Sequence, residues 1–201
     1  VCGSSWGTVS NCYNTGSVTG SYAVGGVCGT NDGTVTNCYN TGNVAGSEKV
    51  GGVCGWNEFD TATNCYNTGN VTGNNQGGGV CGYNDATVTN CYNSGSVTGS
   101  GYVGGLCGNS WGTVPNCYYL AGKANSGIGS GSREATAKTA DEFQSGAVAY
   151  LLQGEQTEQV WGQNISFAPK DTYPVLGGLK VVQNGDGYAN ELNQDGDFYL
   201  I

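Results

Sequence analysis

The first 118 residues repeat one unit five times, and this repetition constrains the fold more than any other feature of the chain. One cysteine lies in a Val-Cys-Gly or Leu-Cys-Gly triplet and another in Asn-Cys-Tyr, and each returns every 26 or 27 residues. A fixed period of roughly 20 to 50 residues is typical of solenoids. The two cysteine series are Cys2, Cys28, Cys54, Cys81 and Cys107, and Cys12, Cys38, Cys65, Cys91 and Cys117.

Each unit has the pattern of short strands and turns. Valine alternates with Thr, Ser or Asn, and Asn-Thr-Gly and Gly-Gly interrupt the alternation, which favours about three strands per unit. A unit of this size is too small to bury its own apolar face, whereas stacked copies bury a continuous one. The sequence therefore predicts an all-β fold: a disulfide-stapled β-solenoid (β-helix) of about five 26-residue coils over residues 1–118, followed by a small α+β capping segment.

Stacking brings equivalent residues of successive coils into ladders about 4.8 Å apart. We expect an asparagine ladder with amide hydrogen bonds at a turn and a tyrosine ladder beside it, both structural. We also expect Gly16, Gly42, Gly69 and Gly95 to adopt positive φ in turns. The predicted ladders are Asn11, Asn37, Asn64, Asn90 and Asn116, and Tyr13, Tyr39, Tyr66, Tyr92 and Tyr118.

Disulfides are predicted to replace a missing aliphatic core, because Leu106 is the only leucine, isoleucine or methionine before Leu120. Ten cysteines and no histidine indicate an oxidising compartment, so we expect a secreted or cell-surface protein. Bridges between successive units would leave Cys2 and Cys117 free, and bridges along one series would leave an odd cysteine in each. Bridges within units use all ten cysteines and are preferred: Cys2–Cys12, Cys28–Cys38, Cys54–Cys65, Cys81–Cys91 and Cys107–Cys117.

The segment GGVCGTNDGTVTNCYNTGNVAG resembles the GLUG motif, a short repeat of bacterial surface and secreted proteins, many of them from Gram-positive anaerobes. The likeness covers about residues 1–118, although the family usually has Gly-Leu-Val-Gly where this chain has Gly-Val-Cys-Gly or Gly-Leu-Cys-Gly. The resemblance implies an adhesin-like module or part of a large multidomain surface protein. It supplies no catalytic residue.

The repeat ends near Leu120. Residues 119–138 are predicted to be a connector that includes the flexible SGIGSGS segment. Residues 139–182 are predicted to form a helix-plus-strand cap, in which Thr139 and Glu142 make a capping box and Gly154 ends the helix. Two strands are expected, around residues 160–165 and 173–182. Residues 183–201 are expected to be a linker or the start of another module.

Several site classes are disfavoured. The chain has no CxxC and no histidine for a zinc site or for a thiol's base, and no apolar run that could span a membrane. One lysine and five carboxylates before Tyr119 argue against nucleic acid as a partner. Calcium is the one cofactor considered, with a solvated linker as the alternative. Its candidate ligands are Asn184, Asp186, Asp195 and Asp197.

Three functions remain open. The first is a non-catalytic structural or adhesive module, either a rigid stalk or a filament subunit linked end to end to other copies. The second is a solenoid face that binds host or cell-surface glycans, or ice, through rows of Thr-x-Thr. The third, an enzyme, is disfavoured because paired carboxylates are needed for acid–base work on sugars. Among the carboxylates before Tyr119, only Asp32 and Asp85 are expected at a shared ladder position.

Overall fold

A computed structural model describes residues 1–191 and divides the chain into two compact units, residues 1–137 and a second unit that begins at Lys138. The first unit is a β-solenoid of five stacked parallel coils, as the repeat predicts. Each complete coil has five short strands, where the sequence pattern suggested three. The additional strands arise because the Asn-Thr-Gly and Gly-Gly segments form corners that divide each coil further. The alternation of valine alone does not show these corners.

Each complete coil begins with a strand at its VCG cysteine. The first two coils contain β1 (Cys2–Ser5), β2 (Thr8–Ser10), β3 (Tyr13–Asn14), β4 (Val18–Thr19), β5 (Tyr22–Gly25), β6 (Cys28–Asn31), β7 (Thr34–Thr36), β8 (Tyr39–Asn40), β9 (Val44–Gly46) and β10 (Glu48–Gly51). The next two contain β11 (Cys54–Asn57), β12 (Thr61–Thr63), β13 (Tyr66–Asn67), β14 (Val71–Gly73), β15 (Gln76–Gly78), β16 (Cys81–Asn84), β17 (Thr87–Thr89), β18 (Tyr92–Asn93), β19 (Val97–Thr98) and β20 (Tyr102–Gly104).

Equivalent strands of successive coils pair in parallel and in exact register. The cysteine strands form one sheet, in which Cys28 lies opposite both Cys2 and Cys54. The four other strands of each coil form four further sheets in the same way. This register places every repeated side chain beside its own copy in the next coil.

Valine and cysteine fill the interior of the solenoid. The main core consists of both cysteine series with the valines that flank them, such as Val27 and Val35, which are fully buried. A second cluster of Val24, Val44, Val50, Val71 and Val97 lies between other sheets. Small side chains suffice because the opposed sheets are close together.

Asparagine supplies the turn conformation that was expected of glycine. Asn11, Asn37, Asn64, Asn90 and Asn116 all have φ between 51° and 53°. None of Gly16, Gly42, Gly69 and Gly95 has positive φ, so that expectation is wrong. Three of them are needed for close approach instead: a Cβ on Gly69, for example, would lie 2.0 Å from the carbonyl oxygen of Gly42.

The predicted connector differs from the structure, because part of it continues the solenoid. Strands β21 (Cys107–Ser110) and β22 (Tyr118–Leu120) belong to the fifth coil. Strand β23 (Ile128–Gly131) lies within the SGIGSGS segment, pairs with β21, and places Ile128 in the core beyond Cys107. Strand β24 (Thr136–Lys138) extends the tyrosine sheet beside β22. The glycine and serine of this segment suggested a flexible connector, whereas its isoleucine is buried at the ladder position of cysteine and holds the segment in the solenoid.

The second unit has two short helices where one was expected. Helix α1 (Ala140–Gln144) begins at the predicted capping box of Thr139 and Glu142. Gly146, with φ of 89°, separates it from α2 (Ala147–Gln153), which ends at Gly154. Two antiparallel pairs follow: β25 (Trp161–Gly162) with β26 (Val175–Leu176), and β27 (Val181–Asn184) with β28 (Gly187–Asn190). The role of this unit as a cap for the solenoid stays a prediction.

Replacement of Gly69 by alanine is predicted to destabilise the solenoid by about 3 kcal/mol, since the new methyl group overlaps the backbone of the preceding coil. Gly16 is a matched control: it has the same repeat position, but a Cβ there would meet only Asn14 Oδ1, at 3.8 Å. Urea unfolding followed by far-UV circular dichroism checks both variants. Equal midpoints for Gly69→Ala and Gly16→Ala would contradict the close approach of the coils.

Candidate functional site: repeated ladders and the outer face

The two cysteine series form two buried ladders in one core. From Cys28 to Cys117 all eight thiols are buried, whereas Cys2 and Cys12 in the first coil are half-buried. Most thiols donate a hydrogen bond to a nearby carbonyl oxygen: Cys38 Sγ lies 3.1 Å from Thr36 O, and Cys81 Sγ lies 3.1 Å from Tyr83 O. These contacts satisfy the sulfur atoms as small core side chains.

Neighbouring thiols of one series affect each other's pKa. Hydrogen bonding with the Cys65 thiol raises the pKa of Cys38, and hydrogen bonding with the Cys81 thiol raises the pKa of Cys107. Burial raises the pKa of Cys54 and that of other interior thiols. A raised pKa disfavours the thiolate, so these thiols are poor nucleophiles.

The structure holds all ten cysteines as thiols, so the disulfide staple stays a prediction. The within-unit pairs, such as Cys28 and Cys38, share the same core cluster. Neighbours of one series also lie opposite each other in the paired strands, as Cys28 does with Cys54, so the choice among the pairing schemes stays a prediction.

Two ladders of buried asparagine run through the solenoid, and the sequence analysis missed both. Asn40 Nδ2 donates to Asn67 Oδ1 at 2.7 Å, and Asn67 Nδ2 donates to Asn93 Oδ1 at 2.8 Å. The same Nδ2 atoms also donate to the glycine carbonyl two residues later, at 2.7 Å for Asn67 and Gly69. A parallel ladder joins Asn31, Asn57, Asn84 and Ser110. The recurrence of CYN and of asparagine three residues after the VCG cysteine was the available signal.

The predicted asparagine and tyrosine ladders also lie in register. Asn116 Nδ2 donates to Asn90 Oδ1 at 2.7 Å, and the main role of this series is its positive-φ turn. Tyr13, Tyr39, Tyr66 and Tyr92 stack with ring centroids 4.8 to 5.1 Å apart and planes within 7°. Tyr118 lies opposite Tyr92 in the same sheet.

The Thr-x-Thr rows lie on one sheet of the solenoid. Val35 is fully buried, while Thr34 and Thr36 on either side of it are partly exposed. The rows contain Thr8, Ser10, Thr34, Thr36, Thr61, Thr63, Thr87 and Thr89, and Thr113 bridges to Thr87 with hydroxyl oxygens 3.1 Å apart.

Beside these rows runs a second line of side chains, here called the rim row: Trp6, Asp32, Glu58, Asp85 and Trp111. Each follows the strand that begins at a VCG cysteine, and the N–H of each of the last four donates to the preceding coil at 2.8 to 2.9 Å. Sequence analysis expected only Asp32 and Asp85 to share a position. Glu58 joins them because the extra residue of the third unit enters after it, before strand β12.

A single lysine lies beside the rim row. Lys49 is nine-tenths buried, and its Nζ lies 3.2 Å from the centroid of the Trp56 ring and 4.8 Å from that of Tyr83. The indole Nε1 of Trp56 donates to Asp85 Oδ2 at 3.0 Å. Cation–π attraction thus holds the only basic side chain of residues 1–118 against aromatic rings.

Two of the calcium candidates are turn residues of the second unit. Asn184 ends β27, and Asp186 lies in the turn that joins β27 to β28. Asp195 and Asp197 lie outside the described residues. Among residues 1–191, no three His, Cys, Asp or Glu side chains converge as metal ligands would, and no helix is long and apolar enough to cross a membrane.

Replacement of Asn67 by alanine is predicted to lower the free energy of unfolding by about 2 kcal/mol or more. It removes the buried amide that accepts a hydrogen bond from Asn40 Nδ2 and donates one to Asn93 Oδ1. The exposed Asn74→Ala variant is the control. Thermal unfolding should separate the two variants. Similar midpoints would show that the buried amides contribute little.

In reduced protein, a thiol reagent is predicted to label Cys2 and Cys12 within the native state and the eight buried cysteines only after unfolding, since burial limits both access and thiolate formation. Timed labelling with peptide mass mapping measures each site. Rapid native labelling of Cys54 or Cys65 would contradict the buried ladders.

Comparison with known proteins agrees with this geometry. The family described as the GLUG motif matches residues 20–45, 46–72 and 73–98, and no curated protein matches the chain. A Bacteroides ovatus crystal structure at 1.30 Å, described as a "putative immunoglobulin A1 protease", is similar in fold with a TM-score of 0.63 and 24% identity. The match covers 84% of this chain and 57% of that one. The GLUG match thus covers three consecutive repeats of the solenoid.

Proposed function

We propose that the chain is a non-catalytic, extracellular structural and adhesive module, a rigid stalk that displays its surface or neighbouring modules. The observation that carries the proposal is the exact register of the coils. Each coil contacts its neighbours through the same residues, so the solenoid can be lengthened by repetition without new interactions.

The interior side chains support a mechanical role. Asparagine amides and tyrosine rings at repeated positions contact their copies in the next coil, and Cys38 Sγ lies 3.6 Å from Val9 O of the preceding coil. Such contacts resist bending of one coil against the next, as a stalk requires. The protease description belongs to the Bacteroides ovatus protein, and the proposal for this chain includes no reaction.

Cysteine content supports placement outside the cell. Ten cysteines in 201 residues fit an oxidising compartment, where bridges inside the solenoid would add to its stability. Mass spectrometry of unreduced protein from the producing cells tests this part. Bridged peptides are expected, and recovery of most cysteines as thiols would remove the staple from the proposal.

A face that binds glycans is a second candidate function, supported by the outer surface. The threonine rows present exposed hydroxyl groups at regular spacing beside the rim row. Regular donors and acceptors on a flat sheet suit a polymeric ligand better than a small molecule. This function is compatible with a stalk.

Insertion of four extra copies of residues 54–80 after Val80 is predicted to leave a cooperatively folded protein that is longer by about 19 Å, four coils at about 4.8 Å each. Small-angle X-ray scattering measures the length. The matched control inserts three copies of residues 54–66, about one and a half coils, which should disrupt the register. A full-coil insertion that unfolds or leaves the length unchanged would argue against the stalk.

A further inference from the structure

We propose that the rim row is a binding surface for a neutral, extended polysaccharide, and this inference rests on the adhesive part of the proposed function. The surface consists of three stacked carboxylates with one exposed tryptophan at each end. Trp6 is 84% exposed and Trp111 is 60% exposed.

The row is built by the same register that forms the core. Its members lie one coil apart, about 4.8 Å, so Trp6 and Trp111 are separated by four coils, or about 19 Å. A span of this length accommodates several sugar rings of an extended chain. The residue before each rim member points into the solenoid, as the buried Asn31, Asn57 and Asn84 show, so the row itself faces outward.

Side-chain chemistry in the row matches that of a sugar polymer. The electron-rich faces of exposed indole rings attract the polarised C–H groups on the flat side of a pyranose. Carboxylates accept strong hydrogen bonds from hydroxyl groups. Desolvation and the nearby Asp32 carboxylate raise the pKa of Glu58, and hydroxyl donors from a ligand would relieve that repulsion.

The charge of the face selects against other polymers. Lys49 is the only basic residue among residues 1–118, and its ammonium is held over Trp56. Acidic glycans and nucleic acids would therefore be repelled by the carboxylates. An extended peptide gains little on this face because β6, β11, β16 and β21 of the cysteine sheet are each paired on both sides, so their backbones cannot accept an added strand.

Affinity electrophoresis of the full chain tests the proposal. Native gels contain hydroxyethylcellulose, xylan or glucomannan as neutral probes, or polygalacturonate as the acidic probe. Binding to poly-L-lysine is measured in a separate assay. The wild-type chain is expected to be retarded by at least one neutral polysaccharide and not by polygalacturonate. The double variant Trp6→Ala/Trp111→Ala should weaken that binding about tenfold or more, because it removes both ring platforms.

Two controls distinguish the rim row from other surfaces. Tyr13→Ala removes a 59% exposed aromatic ring from a different sheet and should leave retardation unchanged. Thr98→Val removes an exposed hydroxyl group from a different sheet and should also leave retardation unchanged. Circular dichroism melting confirms that each variant is folded.

Three outcomes would overturn the proposal: no retardation by any neutral polysaccharide, equal retardation of the wild type and the double tryptophan variant, or binding to poly-L-lysine alone, which would assign a basic polypeptide instead. If the polysaccharide proposal fails, the stalk proposal is unaffected, because the coil-insertion experiment measures length and folding without any ligand. If the coil-insertion experiment contradicts the stalk proposal, the result of the gel experiment still stands.

Discussion

Hydrogen bonding between identical buried side chains of neighbouring coils is the constraint on which the rest of the structure depends. An asparagine amide inside a protein must find both donors and acceptors, and the ladder supplies them when every coil is in exact register. Asn40, Asn67 and Asn93 bond to one another and to the glycine carbonyls of their own turns. A slip of one residue would bury each amide without a partner, so these ladders fix the register as well as stabilise it.

The core follows from that register. Because the backbones of opposed segments approach closely at glycine, only small side chains fit between them, and valine and cysteine are the residues that fill this space. The cysteines therefore have a packing role as thiols, with their S–H groups directed to carbonyl oxygens. Disulfides would add a covalent constraint to an interior that is already closely packed.

Regular stacking also determines what the outside of the solenoid can do. A residue type that occurs in three successive units becomes a continuous line on the surface, and a change of residue in one unit creates a local feature. The rim row combines both effects, with carboxylates in the three middle coils and tryptophan in the first and fifth. The cation–π contact holds Lys49, the only Lys or Arg of residues 1–118, against the protein, so that it does not compete with a ligand.

The sequence by itself determined the solenoid, the coil length, the inward orientation of Val35 and the capping box at Thr139, because each of these depends on spacing along the chain. Only the tertiary structure decided that asparagine takes the positive-φ turns, that Asn14 and Asn31 begin buried ladders, and that Ile128 continues the core beyond the last cysteine. It also brought Glu58 between Asp32 and Asp85, since one inserted residue hides the alignment until the strands pair. Periodicity reports which residues repeat; the pairing of strands decides which atoms meet.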